Sequence, residues 1–271
     1  DDERTNVIVL HLEGVPNGRR LYDVIAATTP RKPVIVLPVG RAQVAEFAQS
    51  HTGNLMGAHA ITAAAMRQAG AIVVDSTEDA IDCAAAFSAG RIEPKPKPGV
   101  AVLTGQAGPG LIILDALRSR GVDVPQLGDE TVGRIAKLLP PMTYLRNPID
   151  TGRPSPVFAD VMMEVARDPG IDAVLTFALD EPAALDPIAV FSRTRDQVKQ
   201  PLLFATLGEA SSIETVLDAL AARKIPTFFS PERAATAAWA LAEDAKARWR
   251  CSLTAPATSI EAGERASARD E

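Results

Sequence analysis

Cysteine is nearly missing from this sequence. Cys83 and Cys251 are the only two in 271 residues, and their separation matches no metal or redox spacing. A disulfide scaffold is therefore not expected, and a reducing compartment is the default. Aromatic residues make up 4%, so any core must be built from aliphatic side chains. Cationic excess is also missing: the net charge is -6, which argues against a partner that must be neutralised through its phosphates, and no nucleic acid is expected. No apolar run approaches the ~20 residues of a membrane span. The opening residues Asp1-Asp2-Glu3-Arg4 read as neither a signal nor a transit peptide, and a cytoplasmic location is expected. No Met stands at position 1, so the chain is expected to begin partway through a larger protein.

What is present is an alternation of short aliphatic runs with alanine-rich helical stretches, the pattern of βαβ units around parallel sheets. Residues 7–12, 33–39 and 71–74 read as buried strands, with helices expected at 18–28, 56–69 and 77–89. The segment Glu93-Pro94-Lys95-Pro96-Lys97-Pro98-Gly99 then interrupts the pattern, because alternating proline forbids helix and favours an extended spacer. After it, strands are expected at 100–104, 171–179, 201–207 and 225–229. Helices are expected from the glycine-rich turn to about Ser119, at 129–138, at 157–167, on both sides of the 201–207 strand, and from Pro231 to about Trp249. The fold class is α/β: two flavodoxin-like three-layer domains with parallel sheets, over 1–92 and 100–250, joined by the linker 93–99. Residues 251–271 lack apolar periodicity and read as a disordered tail. Three strands make a small sheet for the first domain, so it is expected to be truncated at its N-terminus.

The histidines are His11, His51 and His59. His51 lies in Gln49-Ser50-His51-Thr52-Gly53-Asn54, just ahead of an expected helix. A helix N-terminus presents unpaired N–H groups and partial positive charge, which suit an anion. Ser50 and Thr52 add hydroxyls, so an imidazole there has what it needs to carry a phosphoryl group. Read alone, the pattern fits a loop histidine capping a helix better. Glu13 follows the first strand, at the strand end where α/β sheets bind ligands. From there it is able to hydrogen-bond one ring nitrogen of His51 and leave the other free for attack on phosphorus. A solvated acid beside a turn is the plainer reading of Glu13. His11 is expected to pack or to support this site, and His59 to lie on a surface or an interface.

Gly105-Gln106-Ala107-Gly108-Pro109-Gly110 lies between a strand and a helix, where backbone amides can approach a phosphate. It is neither a Walker A loop, since Leu111-Ile112 stands where Lys-Ser/Thr is required, nor a G-x-G-x-x-G fingerprint. An anion site and a tight packing turn fit it equally well. Asn147-Pro148-Ile149-Asp150-Thr151-Gly152 reads as a rigid polar loop, a structural turn before a functional one, with Asn147 and Asp150 as the side chains to watch. No metal-ligand cluster, Gly-x-Ser-x-Gly elbow or Cys–His pair occurs, and no metal site is expected.

In combination these segments resemble a family. From Asn6 to Phe87 the chain is similar to the succinyl-CoA-ligase-like flavodoxin domain of the NDP-forming acyl-CoA synthetases, the superfamily of succinyl-CoA synthetase and ADP-forming acetyl-CoA synthetase. Leu12-Glu13-Gly14-Val15, Gly18-Arg19-Arg20, residues 32–37, Gly40-Arg41, Ser50-His51-Thr52-Gly53 and residues 67–70 carry that likeness. From Val100 to about Ala242 the chain resembles the second flavodoxin-like ligase domain. Here residues 104–110, Leu138-Leu139-Pro140-Pro141, Asn147-Pro148-Ile149-Asp150 and residues 168–174 carry it. One departure is Pro38-Val39 before Gly40-Arg41, where many members have Lys-Ser.

The resemblance implies that His51 is the phosphohistidine and Glu13 the acid paired with it. It implies that Ser50, Thr52 and Gly53, with Gly105, Gln106, Ala107, Gly108 and Gly110, bind the phosphate. The implied reaction joins a small carboxylic acid to CoA using ATP or GTP with Mg2+, reversibly. None of these is expected to be bound tightly by this chain. The implied partners are ATP-grasp and CoA-binding domains or subunits, within a homo- or hetero-oligomer, since neither domain is recognisable here. The competing reading is a non-catalytic or regulatory ligase-like module for assembly, as in protein acetyltransferase fusions.

Overall fold

A computed structural model describes residues 2–41, 58–153, 155–181 and 184–253. The elements run β1 (Ile8–Leu12), α1 (Gly18–Thr28), β2 (Val34–Pro38), α2 (His59–Gln68), β3 (Ile72–Val73), α3 (Thr77–Ala86), β4 (Val100–Thr104) and α4 (Ala107–Ser119). They continue as α5 (Asp129–Ile135), β5 (Ile149–Asp150), α6 (Phe158–Ala166), β6 (Ala173–Phe177), α7 (Pro187–Thr194), β7 (Leu202–Ala205), α8 (Ala210–Ala221), β8 (Thr227–Phe228) and α9 (Pro231–Leu253). Several helix starts follow capping chemistry. Asn17 accepts from Arg20 N at 2.9 Å, Ser76 accepts from Asp79 N at 3.0 Å, and Asp186 caps α7 ahead of Pro187.

Among the described residues the strands form two parallel sheets, ordered β1-β2-β3 and β5-β4-β6-β7-β8. In the first, β1 is an edge and alternates half-buried with exposed residues, whereas the central β2 is almost wholly buried. The second sheet has its first strand in the interior and its second at the edge, the order of a doubly wound fold.

Side-chain alternation along the strands sorts the core into layers. Val34, Val36 and Val73 face Ile25, Ala63 and Met66 of α1 and α2. Ile35 and Ile72, on the opposite face, join Cys83 and Ala86 of α3. That cluster continues into Ile113 and Leu117 of α4, the alanines of α9, and Val100, Val102, Leu175 and Leu203 of the second sheet. The remaining face of that sheet, including Ala101, Leu103, Val174 and Phe204, packs on Phe158, Val161 and Phe191. The two sheets therefore share a middle layer of helices, so each is a three-layer α/β/α unit with one layer in common. Each fully buried aliphatic side chain contributes roughly 1.5–3 kcal/mol, and the small residues of α9 let its backbone approach both neighbours.

Charges lock this layer. Asp244 of α9 is 2% exposed and receives Arg91 Nη2 at 2.6 Å and Arg248 Nε at 3.0 Å. Arg91 also donates to Thr29 O at 2.8 Å. Asp82 of α3 is held by Arg233 at 2.7 and 2.9 Å. The proline-rich segment 93–99 contains neither helix nor strand and is pinned to the second sheet. Asp172 accepts from Lys95 Nζ at 2.8 Å and from Gly99 N at 2.7 Å. A Cβ at Gly99 would lie 1.9 Å from Gly170 O, so only glycine fits.

Two differences from the sequence reading stand out. The segment expected as a plain loop at 147–152 contributes β5, which pairs Leu103 with Ile149. α9 extends to Leu253 rather than ending near Trp249; residues 254–271 lie outside the described residues. No helix among the described residues is long and apolar enough to cross a membrane.

Candidate active site

The end of β1 places Glu13. Leu12 pairs with Pro38, and Val39 N donates to Leu12 O at 2.9 Å, so the C-terminal ends of β1 and β2 stay side by side just where the chains diverge. Glu13 enters the gap that this divergence opens. A cavity of about 230 Å³ lies there, walled by Glu13, Gly14 and Gly18, by Val39, and by Ile61 and Thr62 of α2. The Glu13 side chain is 30% exposed, and its Oε1 is 3.8 Å from His11 Nδ1. His11, two residues earlier in the chain, is a neighbour of the acid, with its side chain largely exposed.

His51, Ser50, Thr52 and Gly53 lie outside the described residues. The described chain on both sides of them, Val39 before and Ile61 after, lines the Glu13 cavity. At the adjoining strand ends Arg41 forms an ion pair with Asp75, which follows β3, and Gly40 carries a φ of 103°. This pair was not singled out from the sequence; its only trace there is an arginine after a Gly and an acid after a short apolar run. His59 occupies the first turn of α2. Its Nε2 is enclosed without a hydrogen-bond partner among the described residues, and the residue as a whole is half-buried.

The second group of residues sits at the end of β4. Gly105 N donates to Phe177 O at 3.0 Å, fixing the turn to the neighbouring strand. Thr104 Oγ1 accepts from Gln106 N at 3.0 Å and donates to Gln106 O at 2.6 Å. Gln106 Oε1 accepts from Leu179 N at 3.2 Å. Gly110 N turns back to Gln106 O at 3.5 Å, and a Cβ at Gly110 would meet Thr104 Cγ2 at 2.8 Å. The helix thus starts close against the strand only because residue 110 is glycine. Pro109 has no N–H. Of the six residues of the turn, Ala107 and Gly108 therefore present the amides not already committed to the turn or the helix.

Beside this helix start, Thr104, Ala107, Leu111, Tyr144, Pro148 and Asp150 line a cleft of about 280 Å³. Asp150 Oδ1 also accepts from Gly152 N at 2.8 Å. Asn147 is 1% exposed and acts as a clamp. Its Oδ1 accepts from Val102 N, and its Nδ2 donates to Val100 O and Pro125 O, all at 2.9 Å. The Asn147–Pro148 peptide is cis. Glu13 and the Gly105–Gly110 turn lie at the C-terminal ends of strands in different sheets and line separate cavities.

The comparisons with known proteins bear on the family. Residues 1–87 match the model of the succinyl-CoA ligase like flavodoxin domain. Acetate–CoA ligase [ADP-forming] II subunit alpha of Pyrococcus furiosus is 31% identical over 258 residues, which is 91% of this chain and 55% of the relative. Residues 1–87 are thus a succinyl-CoA ligase like flavodoxin domain, and the chain as a whole is similar to ADP-forming acetate–CoA ligases. Among these, acetate–CoA ligase [ADP-forming] I of Archaeoglobus fulgidus is 30% identical over 239 residues, 87% of this chain and 34% of the relative. The solved dinucleotide forming acetyl-coenzyme A synthetase 1 of Ca. Korarchaeum cryptofilum, in complex with phosphate and ADP, superposes with a TM-score of 0.83 at 30% identity. That match covers 94% of this chain and 57% of the other. The chain thus spans about half the length of the first curated relative it matches, and the shared fold extends across both of its sheets.

Proposed function

We propose that the chain is the phosphohistidine-carrying portion of an NDP-forming acid–CoA ligase. The observation that supports this most is Glu13, set at the end of β1 on the wall of a cavity that Val39 and Ile61, on either side of the His51 segment, also line. In the ligase direction, a ring nitrogen of His51 attacks the γ-phosphorus of ATP or GTP, and the nucleoside diphosphate leaves. A carboxylate oxygen of the acid then attacks the phosphohistidine, giving an acyl phosphate and restoring His51. The CoA thiolate displaces phosphate from the acyl carbon, giving acyl-CoA. Each step is reversible.

Glu13 is the positioning residue: a hydrogen bond from one ring nitrogen fixes the tautomer and leaves the other nucleophilic. Ser50, Thr52 and Gly53 flank the imidazole in sequence. The N-terminus of α4, through the amides of Ala107 and Gly108, offers fixed dipoles to the phosphoryl oxygens without reorganisation. The proposed substrates are a small carboxylic acid, CoA and ATP or GTP. Mg2+ would accompany the nucleotide and neutralise charge on the transferred phosphate. Among the described residues no group of three His, Cys, Asp or Glu side chains converges as a metal site. The ion's ligands would then come from the nucleotide and its own site. ATP-grasp and CoA-binding domains or subunits are the proposed partners, in a cytoplasmic oligomer. The domains proposed for this chain are 1–92 and 100–250 around the linker 93–99.

The test is phosphoryl labelling of the chain complemented with its nucleotide-binding partner, using [γ-32P]ATP. Acid-labile label is expected on the native chain and none on His51→Ala. Equal labelling of His51→Ala, or no label on either, sinks the proposal.

A further inference from the structure

The opposite ends of the strands, away from the site above, carry a second feature. Helices α2, α4 and α8 end in the same way. An N–H three residues past α2 and α4 and four past α8 bonds five residues back (Ala71 to Met66, Val122 to Leu117, Ile225 to Leu220), and the N–H before it bonds three back. This closure puts its second-to-last residue in the left-handed region, where glycine is favoured because a Cβ crowds the backbone. Two of the three positions obey: Gly70 has φ 90° and Gly121 φ 70°. Around Gly121 a Cβ would meet nothing within 4 Å, so φ alone accounts for its glycine. The third is Lys224, with φ 59°. Its ammonium has no hydrogen-bond or ion-pair partner among the described residues, so no contact within them compensates for the strain.

Lys224 instead lines two adjoining cavities, of about 530 and 590 Å³, and Arg195 lines both as well. Arg31 and Arg91 border the first, and Arg223 and Asp196 the second. Arg91 is committed to Asp244, and Asp196 is the one acid among the lining residues. The floor of the first is apolar, with Val7 and Phe87. In a chain of net charge -6, a groove with this cationic excess is selective for anions. The residues come from both sheet units: Val7 and Arg31 lie just before β1 and β2, Arg195 follows α7 ahead of β7, and Lys224 lies just before β8.

We propose that this groove binds a small molecule carrying two or more linked phosphates, of the nucleoside-polyphosphate class, with Lys224 and Arg195 as its principal phosphate contacts. The strained backbone at Lys224 is retained because the side chain serves that ligand. The site is separate from the phosphohistidine chemistry and does not rest on it.

Calorimetric titration of the full chain with inorganic tripolyphosphate, then ATP, tests the proposal. Both are expected to bind and to compete with each other. Lys224→Gly is expected to raise the unfolding temperature while weakening tripolyphosphate by ~10-fold or more, the loss of one charge-assisted contact. Arg195→Gln should weaken it comparably, and His51→Ala should leave it unchanged. Absence of tripolyphosphate binding overturns the proposal, as it would if the groove served an acidic protein segment. Native affinity in both groove variants, or loss of binding in His51→Ala, overturns it equally. A lower unfolding temperature for Lys224→Gly overturns the account of the strain on which it is built.

Discussion

The ends of β1 and β4 solve the same topological problem in different chemical currencies. Each is the first strand of its sheet unit, each is followed by a turn and a helix, and each ends where parallel sheets gather ligands. At the end of β1 the proposed working group is a side chain, the Glu13 carboxylate, which lines a cavity and neighbours His11. At the end of β4 the proposed working groups are backbone amides. There the side chains of Thr104 and Gln106 are spent on holding the turn, by bonds of 2.6 to 3.2 Å to Gln106 O, Gln106 N and Leu179 N. An acid suits the task of orienting an imidazole, and would repel a phosphoryl group if it faced one. Uncommitted amides on a helix N-terminus suit the phosphate itself. On the proposed function, the difference divides the labour of a phosphohistidine site between a tunable side chain and a rigid dipole.

Several changes would break or sharpen this contrast. The largest expected effect is at the β4 end, where rigidity depends on buried polar bonds. Asn147→Leu removes the partner of Val100 O, Val102 N and Pro125 O. Stranding three buried backbone groups at ~1–3 kcal/mol each should lower unfolding free energy by at least about 3 kcal/mol in denaturant titration. A loss under about 1 kcal/mol would mean that the turn is held some other way. Asp244→Ala should cost about 3–5 kcal/mol, because it leaves Arg91 and Arg248 without their buried acid in the layer that joins the two units.

Gly110→Ala is more local. Its Cβ would press on Thr104 Cγ2 at 2.8 Å, displacing the helix start at about 1–3 kcal/mol and lowering phosphoryl labelling with it. At the β1 end the expectation inverts. Glu13→Gln lies on a cavity wall and should change stability by no more than about 0.5 kcal/mol, yet slow labelling of His51 markedly. A stability loss larger than that, with labelling intact, would make Glu13 a structural residue.

The smallest effect is in pH. Burial pushes the Asp168 carboxyl up, but bonds from Gly170 N, Gly128 N and Thr131 outweigh it, and with Arg134 nearby its pKa falls below 3.8. A depressed folded pKa gives stability that is present above the unfolded value and lost as pH falls through the folded one. Unfolding free energy should therefore decline below about pH 4, and Asp168→Asn should flatten that slope.

Much of the fold was legible because burial on both faces makes β4, β6 and β7 continuous aliphatic runs, and because Asn17, Ser76 and Asp186-Pro187 mark helix starts. β5 was not legible: two residues, Ile149 and Asp150, follow a proline, and they become a strand only through the Asn147 clamp, a long-range effect. The shared middle layer was equally hidden, because alanines on α9 look the same whether they face one sheet or lie between two. Of the candidate site, Glu13 and the Gly105–Gly110 turn were singled out by strand-end position and a glycine-rich turn, but the roles proposed for them come from the family resemblance. The sequence could not say which amides of the turn are spoken for, since that depends on Thr104 Oγ1 and Phe177 O. Nor could it pair Arg41 with Asp75, which are adjacent only after β2 and β3 are aligned.

The most direct measurement of the central claim is peptide mapping, by mass spectrometry under alkaline conditions, of the complemented enzyme after brief exposure to ATP. The account predicts a phosphoramidate on the peptide bearing His51, discharged when the carboxylic acid substrate is added. Phosphate on another residue, or a modified His51 that the acid and CoA fail to discharge, would contradict it.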